Sequence, residues 1–394
     1  MKEENRLRQT IEIIKAYDFN LPLKTFLFSW YKKRPNMGSA DRRETSTLVY
    51  QCFRLGKNLS NLEIERQIAA AVFLCNVELN YLIEYIIKKH SHLKLEDIKL
   101  SLEDKIRKVI EQYPEFNLDN TFPFPDQLSS MIDKNLFIES HFCQPKVWIR
   151  IKNGKVEKVL KELEANKYLY EVIKNDNKAI GFKVHYKLDK LKSHINGDFE
   201  IQDIGSQKTG KLYKLNKDEI WWDACAGSGG KSLMLADIEP SVSLFITDKR
   251  KSILNNLNER FLKAGIKKFK IAECDLLKPD QINYPFESFD GIILDVPCSG
   301  SGTWAATPEM LSKFDYKSIA EYHHTQTQIA QNVLPYLKKG KPLIYITCSV
   351  YKQENEDVVK FLCDNFNMIL ESQQIIEGYR YGASTFFVAR LIKQ

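Results

Sequence analysis

Long apolar runs, paired cysteines and metal-ligand clusters are all missing from this sequence of 394 residues. No run of about 18 apolar residues occurs, which excludes a membrane-spanning helix. The first six residues are mostly charged and lack the apolar centre of a secretory signal, so we expect a cytoplasmic protein without a membrane partner. Eight cysteines occur with no C-x-x-C pair and no histidine at zinc spacing. We therefore expect free thiols and no metal site.

The sequence also has no internal repeat, no low-complexity tract and no large excess of one charge. Its 58 Lys and Arg residues exceed its 51 Asp and Glu residues by seven, which permits a polyanionic partner without requiring one. At about 150 residues per domain, the length predicts two or three domains. We expect the chain to be a monomer.

Residues 1–140 predict a helical bundle. Ser60–Glu63 has the form of a capping box, and Ser101 precedes apolar residues at helical spacing. The Arg42-Arg43 pair is either an RNA phosphate contact or a solvated basic face. Asn117–Pro125, with two prolines, predicts a linker before a last helix near Asp126–Glu139.

The hydrophobic period changes after residue 140. In residues 141–200, segments whose apolar residues alternate every second position are interspersed with segments of helical spacing. This pattern predicts the element order β-α-β-β-α-β, which is typical of a small ferredoxin-like α+β domain. From 201 to 394 strands and helices alternate, which indicates a doubly wound α/β domain. The predicted strands are Glu219–Ala224, Val242–Thr247, Phe269–Cys274, Gly291–Leu294 and Leu343–Thr347.

Two cysteines follow two of these strands directly. An apolar strand runs into Asp295 and a turn that carries Cys298, and a second runs into Cys348. Ligands bind at the carboxyl ends of strands in open α/β sheets. The two thiols are therefore predicted to share a ligand site.

A third turn, Asp223–Ser232, is rich in glycine. A phosphate-binding P-loop would require glycine where Cys225 stands, and a dinucleotide fingerprint would require glycine where Ser232 stands. What remains is a strand-to-helix turn at which the backbone approaches a ligand closely.

Acidic residues at successive strand ends restrict which ligand the site can bind. Asp248 follows the second strand at the distance expected of a carboxylate that binds ribose hydroxyls, and Asp275 and Asp295 follow the next two strands. Three acids and Lys231 suit a nucleoside with a positive centre and an amino-acid tail better than a triphosphate. S-adenosylmethionine fits this description.

The sequence resembles the RsmB/Nop/Sun family of RNA cytosine-C5 methyltransferases, most closely its RsmB-like members. That family carries D-x-C-A-A-P-G-G-K-T, D-x-P-C-S-G and T-C-S motifs in this order, and Asp223–Ser232, Asp295–Gly300 and Thr347–Ser349 match them. Gln202–Gln207 upstream and Glu354–Glu356 downstream match as well. The helical start, from Asp41 to Arg54, is similar to the NusB-like RNA-binding extension of RsmB-type members.

Three departures from the family pattern stand out. Gly227-Ser228 replaces Ala-Pro, Ala305-Ala306 stands where many members carry arginines, and Ser384-Thr385 replaces Asp-Gly before two phenylalanines. The second departure removes possible contacts to the substrate backbone. Neither cysteine is affected.

The resemblance implies a Rossmann-like class I methyltransferase domain at 201–394, preceded by an RRM-like domain at 141–200 and the helical extension at 1–140. It implies that Cys348 attacks cytosine C6, that Cys298 assists release of the adduct, and that Asp295 holds the base or the cofactor. We expect packing roles for the thiols of Cys225 and Cys274. The residues expected to bind S-adenosylmethionine are Cys225, Ala226, Gly227, Ser228, Gly229, Gly230, Lys231, Asp248, Asp275 and Asp295.

Ribosomal RNA is the expected partner, with tRNA as the alternative substrate. A non-catalytic RNA-binding assembly factor is the alternative from a different class, although retention of both cysteines counts against it. An amino-nitrogen methyltransferase would require Asn/Asp-Pro-Pro-aromatic at 295–298, and Val296 and Cys298 depart from that pattern.

Overall fold

The computed structural model describes residues 2–174, 176–184, 186–278 and 285–394, which form two compact units. The first unit comprises the residues up to Asp126 together with Asp133–Gln144 and Trp304–Asp315. The second comprises Gln127–Ile132, Pro145–Thr303 and Tyr316–Gln394. A three-domain division with boundaries near 140 and 200 stays a prediction. Every helix among the described residues is too short or too polar to cross a bilayer.

The described secondary structure is helical at first and mixed after residue 146. The α-helices are α1 (Lys2–Ala16), α2 (Leu23–Lys32), α3 (Ser39–Phe53), α4 (Ile64–Cys75), α5 (Tyr81–His90), α6 (Leu102–Gln112), α7 (Lys134–Glu139), α8 (Val156–Ala165), α9 (Lys192–Ile195), α10 (Ile204–Thr209), α11 (Gly230–Ile238), α12 (Lys251–Lys263), α13 (Met310–Lys313), α14 (Lys317–Val333) and α15 (Glu356–Phe366). The strands are β1 (Val147–Ile151), β2 (Glu171–Ile173), β3 (Asp176–Phe182), β4 (Phe199–Ile201), β5 (Ile220–Asp223), β6 (Ser243–Asp248), β7 (Phe269–Glu273), β8 (Gly291–Asp295), β9 (Pro342–Thr347), β10 (Met368–Ile376) and β11 (Phe386–Lys393).

Helix α4 is the centre of the first unit. Its residues 68–74 are apolar on every side and at most 2% exposed, so the helix is surrounded by other elements. It packs against α3 and α5. The helical bundle predicted for this part of the chain is confirmed.

The starts of these helices agree only in part with the predicted caps. Ser101 caps α6, and its Oγ accepts the N–H of the third helical residue. The capping box predicted at Ser60–Glu63 is wrong, because Glu63 itself occupies the cap position of α4 and its side chain makes no capping bond. The helix predicted at Asp126–Glu139 is reduced to α7, because the Asp133 side chain caps a later start.

The segment predicted as a linker, Asn117–Pro125, is instead part of the core of the first unit. Thr121 is fully buried, and the Phe122 ring lies 5.0 Å from the Phe137 ring and 5.3 Å from the Trp304 ring. Its aromatic residues bury more apolar surface than its prolines and polar residues suggest. Prolines mark the irregular backbone of this segment but not its burial.

The Arg42 side chain is hydrogen-bonded within the first unit, and the role of the Arg42-Arg43 pair toward RNA stays a prediction. The Arg42 guanidinium donates to the backbone carbonyls of Arg34, Pro35 and Met37, at 2.8–3.2 Å. These bonds satisfy carbonyls in the turn between α2 and α3. Arg42 therefore stabilises that turn.

The second unit contains two sheets. The smaller one is antiparallel with the strand order β2-β3-β1-β4, which confirms the predicted ferredoxin-like arrangement. Its core is formed by the inward residues of β1 and β3 against α8, including Ile149, Ile180, Val159 and Leu163.

The larger sheet has the order β10-β11-β9-β8-β5-β6-β7, in which β5 to β9 are parallel and β11 runs antiparallel to both of its neighbours, β9 and β10. The five predicted strands are β5 to β9, each within one or two residues. Strand order reverses at β5, between β6 and β8, so the carboxyl ends of β5 and β8 flank the crevice at which such sheets bind ligands. The doubly wound prediction is confirmed.

Candidate active site

The turn between β5 and α11 approaches the crevice with two glycines in left-handed conformations. Gly227 has φ of 53° and Gly229 has φ of 80°, a region that favours glycine. A Cβ on Gly229 would lie 2.8 Å from the Leu257 side chain of α12. The turn is therefore held tightly against α12, and its other side faces the crevice.

A cleft of about 760 Å³ opens at the carboxyl ends of the parallel strands. It brings together nearly all of the residues predicted from the sequence, and Gly229 faces Leu257 instead. The predicted residues that line it are Cys225, Ala226, Gly227, Ser228, Gly230, Lys231, Asp248, Asp275, Asp295, Cys298 and Cys348. Cys225 and Cys274 also pack against the hydrophobic core of the sheet.

Asp248 ends β6 beside the glycine turn. Its Oδ2 accepts the backbone N–H of Gly227 at 2.9 Å, and Arg250 donates to both carboxylate oxygens at 2.9 and 3.1 Å. Burial acts to raise the pKa of Asp248, but the hydrogen bonds from Arg250 and Gly227 outweigh it and lower that pKa. Asp248 is thus a fixed carboxylate, and Arg250 is a neighbour that the sequence analysis missed.

Lys231 and Asp295 form an ion pair inside the cleft, with 2.5 Å between Nζ and Oδ2. The Lys231 residue is 8% exposed. Burial acts to lower its pKa, but Asp295 and Asp223 outweigh burial and raise it. The Lys231 ammonium therefore stays charged inside the cleft.

Asp223 lies below the cleft at the end of β5. Ser232 donates a hydrogen bond to one of its oxygens, and within the described residues the other oxygen is buried without a partner. Burial raises the pKa of Asp223 to about 7. Burial thus favours the protonated form of the Asp223 carboxyl, whereas hydrogen bonds favour the ionised form of Asp248.

The two cysteines that follow β8 and β9 lie side by side. Their sulfur atoms, Cys298 Sγ and Cys348 Sγ, are 3.3 Å apart. The hydrogen bond with Cys348, together with burial, holds the pKa of Cys298 well above its ordinary value. Cys298 therefore retains its proton, and the sulfur that faces it is that of Cys348.

A buried carboxyl joins the loops that carry these cysteines. Glu354 accepts hydrogen bonds from the Ser299 N–H at 2.8 Å, from Ser349 Oγ at 2.6 Å and from Gln326 Nε2 at 3.0 Å. Burial raises the pKa of Glu354 despite these bonds. The motif match located Glu354 but gave no indication of its contacts.

The cleft also contains residues outside the set of site residues predicted from the sequence. Tyr322 and Thr325 of α14 line the side of the cysteines, and Gln202 lines the side of the glycine turn, where it donates to the Gly230 carbonyl at 3.4 Å. Helical spacing assigns α14 to the surface of the sheet but does not identify the residues that face the cleft.

The departures from the family pattern lie in different places. Ala305 and Ala306 belong to the first unit. The Ser384 N–H donates to Asp203, and the Thr385 N–H to the Gly302 carbonyl. Strand β11 begins immediately afterwards and pairs regularly with β9.

Comparisons with known proteins agree with this arrangement. The family described as 16S rRNA methyltransferase RsmB/F matches residues 211–391. Ribosomal RNA small subunit methyltransferase B of Shewanella oneidensis is 31% identical over 214 residues, which cover 50% of this chain and 49% of that protein. The protein of the same name from Proteus mirabilis is 27% identical, over 67% of this chain and 66% of its own length. The chain thus spans about half the length of the first curated relatives it matches.

Solved structures show the same fold at low identity. The crystal structure of PH0851 aligns with 100% of this chain and 99% of its own, with a TM-score of 0.73 and 20% identity. The structure of NSun6 from Pyrococcus horikoshii with SFG aligns with 68% of this chain and 96% of its own, with a TM-score of 0.60 and 18% identity. Both support the fold of the described residues.

Proposed function

Because this chain belongs to the RsmB/Sun-like methyltransferase family through residues 211–391, we propose that it methylates C5 of a cytosine in ribosomal RNA, with S-adenosylmethionine as the methyl donor. One observation carries the proposal. Cys298 Sγ and Cys348 Sγ lie 3.3 Å apart in the cleft that also contains the glycine turn and the Lys231–Asp295 pair. A single pyrimidine ring can contact both thiols there.

The residues of the cleft fit S-adenosylmethionine. The exposed backbone at Gly227 and Ser228 allows close approach, and Asp248 is a fixed carboxylate suited to ribose hydroxyls once Arg250 yields one of its two bonds. Asp275 follows β7 and lines the same cleft, where its carboxylate would accept a hydrogen bond from the adenine amino group. Bound there, S-adenosylmethionine supplies an electrophilic methyl group.

Cys348 acts first on the base. Its thiolate adds to C6 of cytosine, which raises electron density at C5 so that C5 can accept the methyl group. A water molecule then takes the proton from C5, and the electron pair of that C–H bond expels the Cys348 thiolate from C6 and restores the aromatic ring. The neighbouring Cys298 thiol assists this release, since it is within hydrogen-bonding distance of the leaving sulfur.

Asp295 orients the base during these steps. Its carboxylate is paired with Lys231 and accepts a hydrogen bond from the exocyclic amino group of cytosine. Uracil carries a carbonyl at that position and would leave the carboxylate unpaired, which favours cytosine.

Methyl transfer from radiolabelled S-adenosylmethionine tests the proposal. The substrates are unmodified small-subunit ribosomal RNA and bulk tRNA, and the proteins are the wild type, Cys348→Ala, Cys298→Ala and the control Cys143→Ala, which changes an exposed cysteine of the first unit. We expect Cys348→Ala to lose at least a thousandfold in rate and Cys298→Ala to accumulate a covalent protein–RNA adduct. Cys143→Ala should retain wild-type activity.

The label and its position separate the alternatives. Label at cytosine C5 of ribosomal RNA supports the proposal, and label in tRNA alone moves the substrate to tRNA. Label in adenine or guanine, or transfer that survives in Cys348→Ala, would overturn the cytosine-C5 assignment. Absence of transfer to either RNA with bound cofactor would favour a non-catalytic RNA-binding protein.

A further inference from the structure

Two clefts lie side by side in the second unit, away from the cysteines. One has a volume of about 350 Å³ and the other of about 500 Å³, and both are lined by Asn153 and Asp237. They therefore form one continuous groove. Its walls come from β1 and β3 of the small sheet, from α10 and α11, and from the segments that precede β6 and β7.

The groove is strongly basic. Eight cations and two carboxylates line it, while the whole chain has an excess of seven positive charges. The cations are Arg150, Lys152, Lys155, Lys178, Lys208, Lys211, Lys267 and Lys268. The local imbalance thus approaches the net charge of the entire protein.

Few of these charges are neutralised locally. Asp237 is engaged by Arg150 in an ion pair. Lys155 and Lys268 have carboxylate partners at 3.7 and 3.5 Å. For the remaining five lysines, no carboxylate of the described residues lies within ion-pair distance. An uncompensated basic groove of this kind attracts a polyanion.

The groove and the cysteine cleft lie at opposite ends of the large sheet. Val242 lines the groove just before β6, and Asp248 lines the cleft at the far end of that strand. Six extended residues span about 20 Å. At about 3.4 Å per phosphate along the axis, the spacing of one strand of duplex DNA, this distance corresponds to roughly six phosphates.

We propose that this groove binds the phosphate backbone of the substrate RNA, several nucleotides away from the cytosine that enters the cysteine cleft. The proposal rests on the proposed function in that it takes RNA as the polyanion. The lysines contact phosphates rather than bases, so the groove contributes affinity and register without reading sequence. A short oligonucleotide in the cysteine cleft cannot reach it, whereas a structured RNA can.

Salt-dependent binding tests the groove. Lys211→Ala combined with Lys267→Ala removes one exposed lysine from each cleft, and Lys161→Ala combined with Lys360→Ala removes two exposed lysines elsewhere in the same unit. Binding of small-subunit ribosomal RNA and of an oligocytidylate of about three nucleotides, half the number that would span the distance to the groove, is measured by fluorescence anisotropy over a range of salt concentrations. Circular dichroism and the urea midpoint verify that both variants fold.

We expect the groove variant to reduce the slope of log K against log salt by about two for ribosomal RNA, one unit per lysine. The control variant should leave that slope unchanged, and neither variant should affect the oligocytidylate. Equal slopes in the groove and control variants would overturn the proposal that the groove binds RNA. Binding is measured without methyl transfer, so the two proposals can fail separately. If the slope is reduced but the protein methylates no RNA, the groove still binds RNA and only the proposed reaction is refuted.

Discussion

Glu354 shows how one residue can control two reactive groups that it does not touch. It is fully buried, and its carboxyl accepts from the backbone next to Cys298 and from the side chain next to Cys348. Gln326, its third donor, also donates to the Pro297 carbonyl in the same loop. The Glu354 carboxyl therefore links the two cysteine loops, alongside hydroxyl contacts of Ser349 with Ser299 and Ser301 at 3.1 and 3.2 Å.

Removing this acceptor should slow the reaction without weakening the binding of the cofactor. We expect Glu354→Ala to lower kcat about a hundredfold, since a displacement of about 1 Å costs that much, and Glu354→Gln to lower it less because the amide keeps one acceptor. KM for S-adenosylmethionine should stay within about twofold, since Glu354 lies outside the glycine turn. Single-turnover methyl transfer and alkylation of Cys348 by iodoacetamide measure both effects.

Glu356 provides the matched control two residues away. It belongs to the same motif and is hydrogen-bonded to Ser129, but it does not contact either cysteine loop. If Glu356→Gln lowers kcat as much as Glu354→Gln does, the effect belongs to the stability of this region and Glu354 has no positioning role. The sequence motif contains both glutamates and cannot separate them, because the difference arises from contacts with Ser299 and Gln326, which are distant in sequence.

At the scale of elements, strands β5 and β8 pack together through a large residue on one strand and a glycine on the other. Trp221 of β5 lies opposite Gly291 of β8 in the parallel register, and a Cβ on Gly291 would lie 2.4 Å from the indole ring. The ring is fully buried and its Nε1 donates to Glu219. This close approach sets the spacing of the two strands whose carboxyl ends flank the cleft.

Gly291→Ala should therefore destabilise the protein by about 1–3 kcal/mol through overpacking. In combination with Trp221→Phe, whose smaller ring makes room for a methyl group, the loss should be smaller than the sum of the single losses by about 0.5–3 kcal/mol. Urea unfolding of the four proteins in this double-mutant cycle measures the coupling. Gly38→Ala, where a Cβ makes only an ordinary contact at 3.5 Å, is the size control. Strict additivity in the cycle would refute the proposed pairing.

The predictability of the strands follows their burial. Strands β5, β6, β8 and β9 are buried on both faces and appear in the sequence as short apolar runs, so they could be predicted within one or two residues, whereas β7 lies at an edge of the sheet and is only partly buried. Strand β10 lies at the edge of the sheet and carries the polar run Glu371–Gln374, which resembles a loop. Its pairing with β11 is a long-range property that local sequence does not encode.

At the scale of the whole molecule, the chain does not divide into consecutive blocks. Trp304–Asp315 follows β8 and the Cys298 turn, yet it clusters with the helices of the first unit. The Trp304 ring lies 5.3 Å from that of Phe122, and the Leu23 N–H donates to Glu309 at 3.1 Å. Contacts of this kind leave no repeating pattern in the local sequence. A domain division drawn from the sequence therefore assigns residues 304–315 to the methyltransferase domain, whose residues flank the segment on both sides.

A fragment comprising residues 145–394 should therefore be incomplete, although it contains both sheets. Trp304, Leu311 and Phe314 are at most 7% exposed in the full chain, and the fragment removes the helices that cover them. We expect the fragment to bind anilinonaphthalene sulfonate and to self-associate on size-exclusion chromatography, because a newly exposed apolar patch favours association.

The three apolar residues themselves supply the control. Replacing Trp304, Leu311 and Phe314 by serine should restore a monomeric fragment that does not bind the dye, while the same triple substitution in the full chain should destabilise it by several kcal/mol because each buried side chain contributes about 1.5–3 kcal/mol. If the unaltered fragment is monomeric and does not increase the fluorescence of the dye, residues 304–315 are not held by the helices of the first unit. In that case the boundary predicted near residue 140 would describe an independent domain after all.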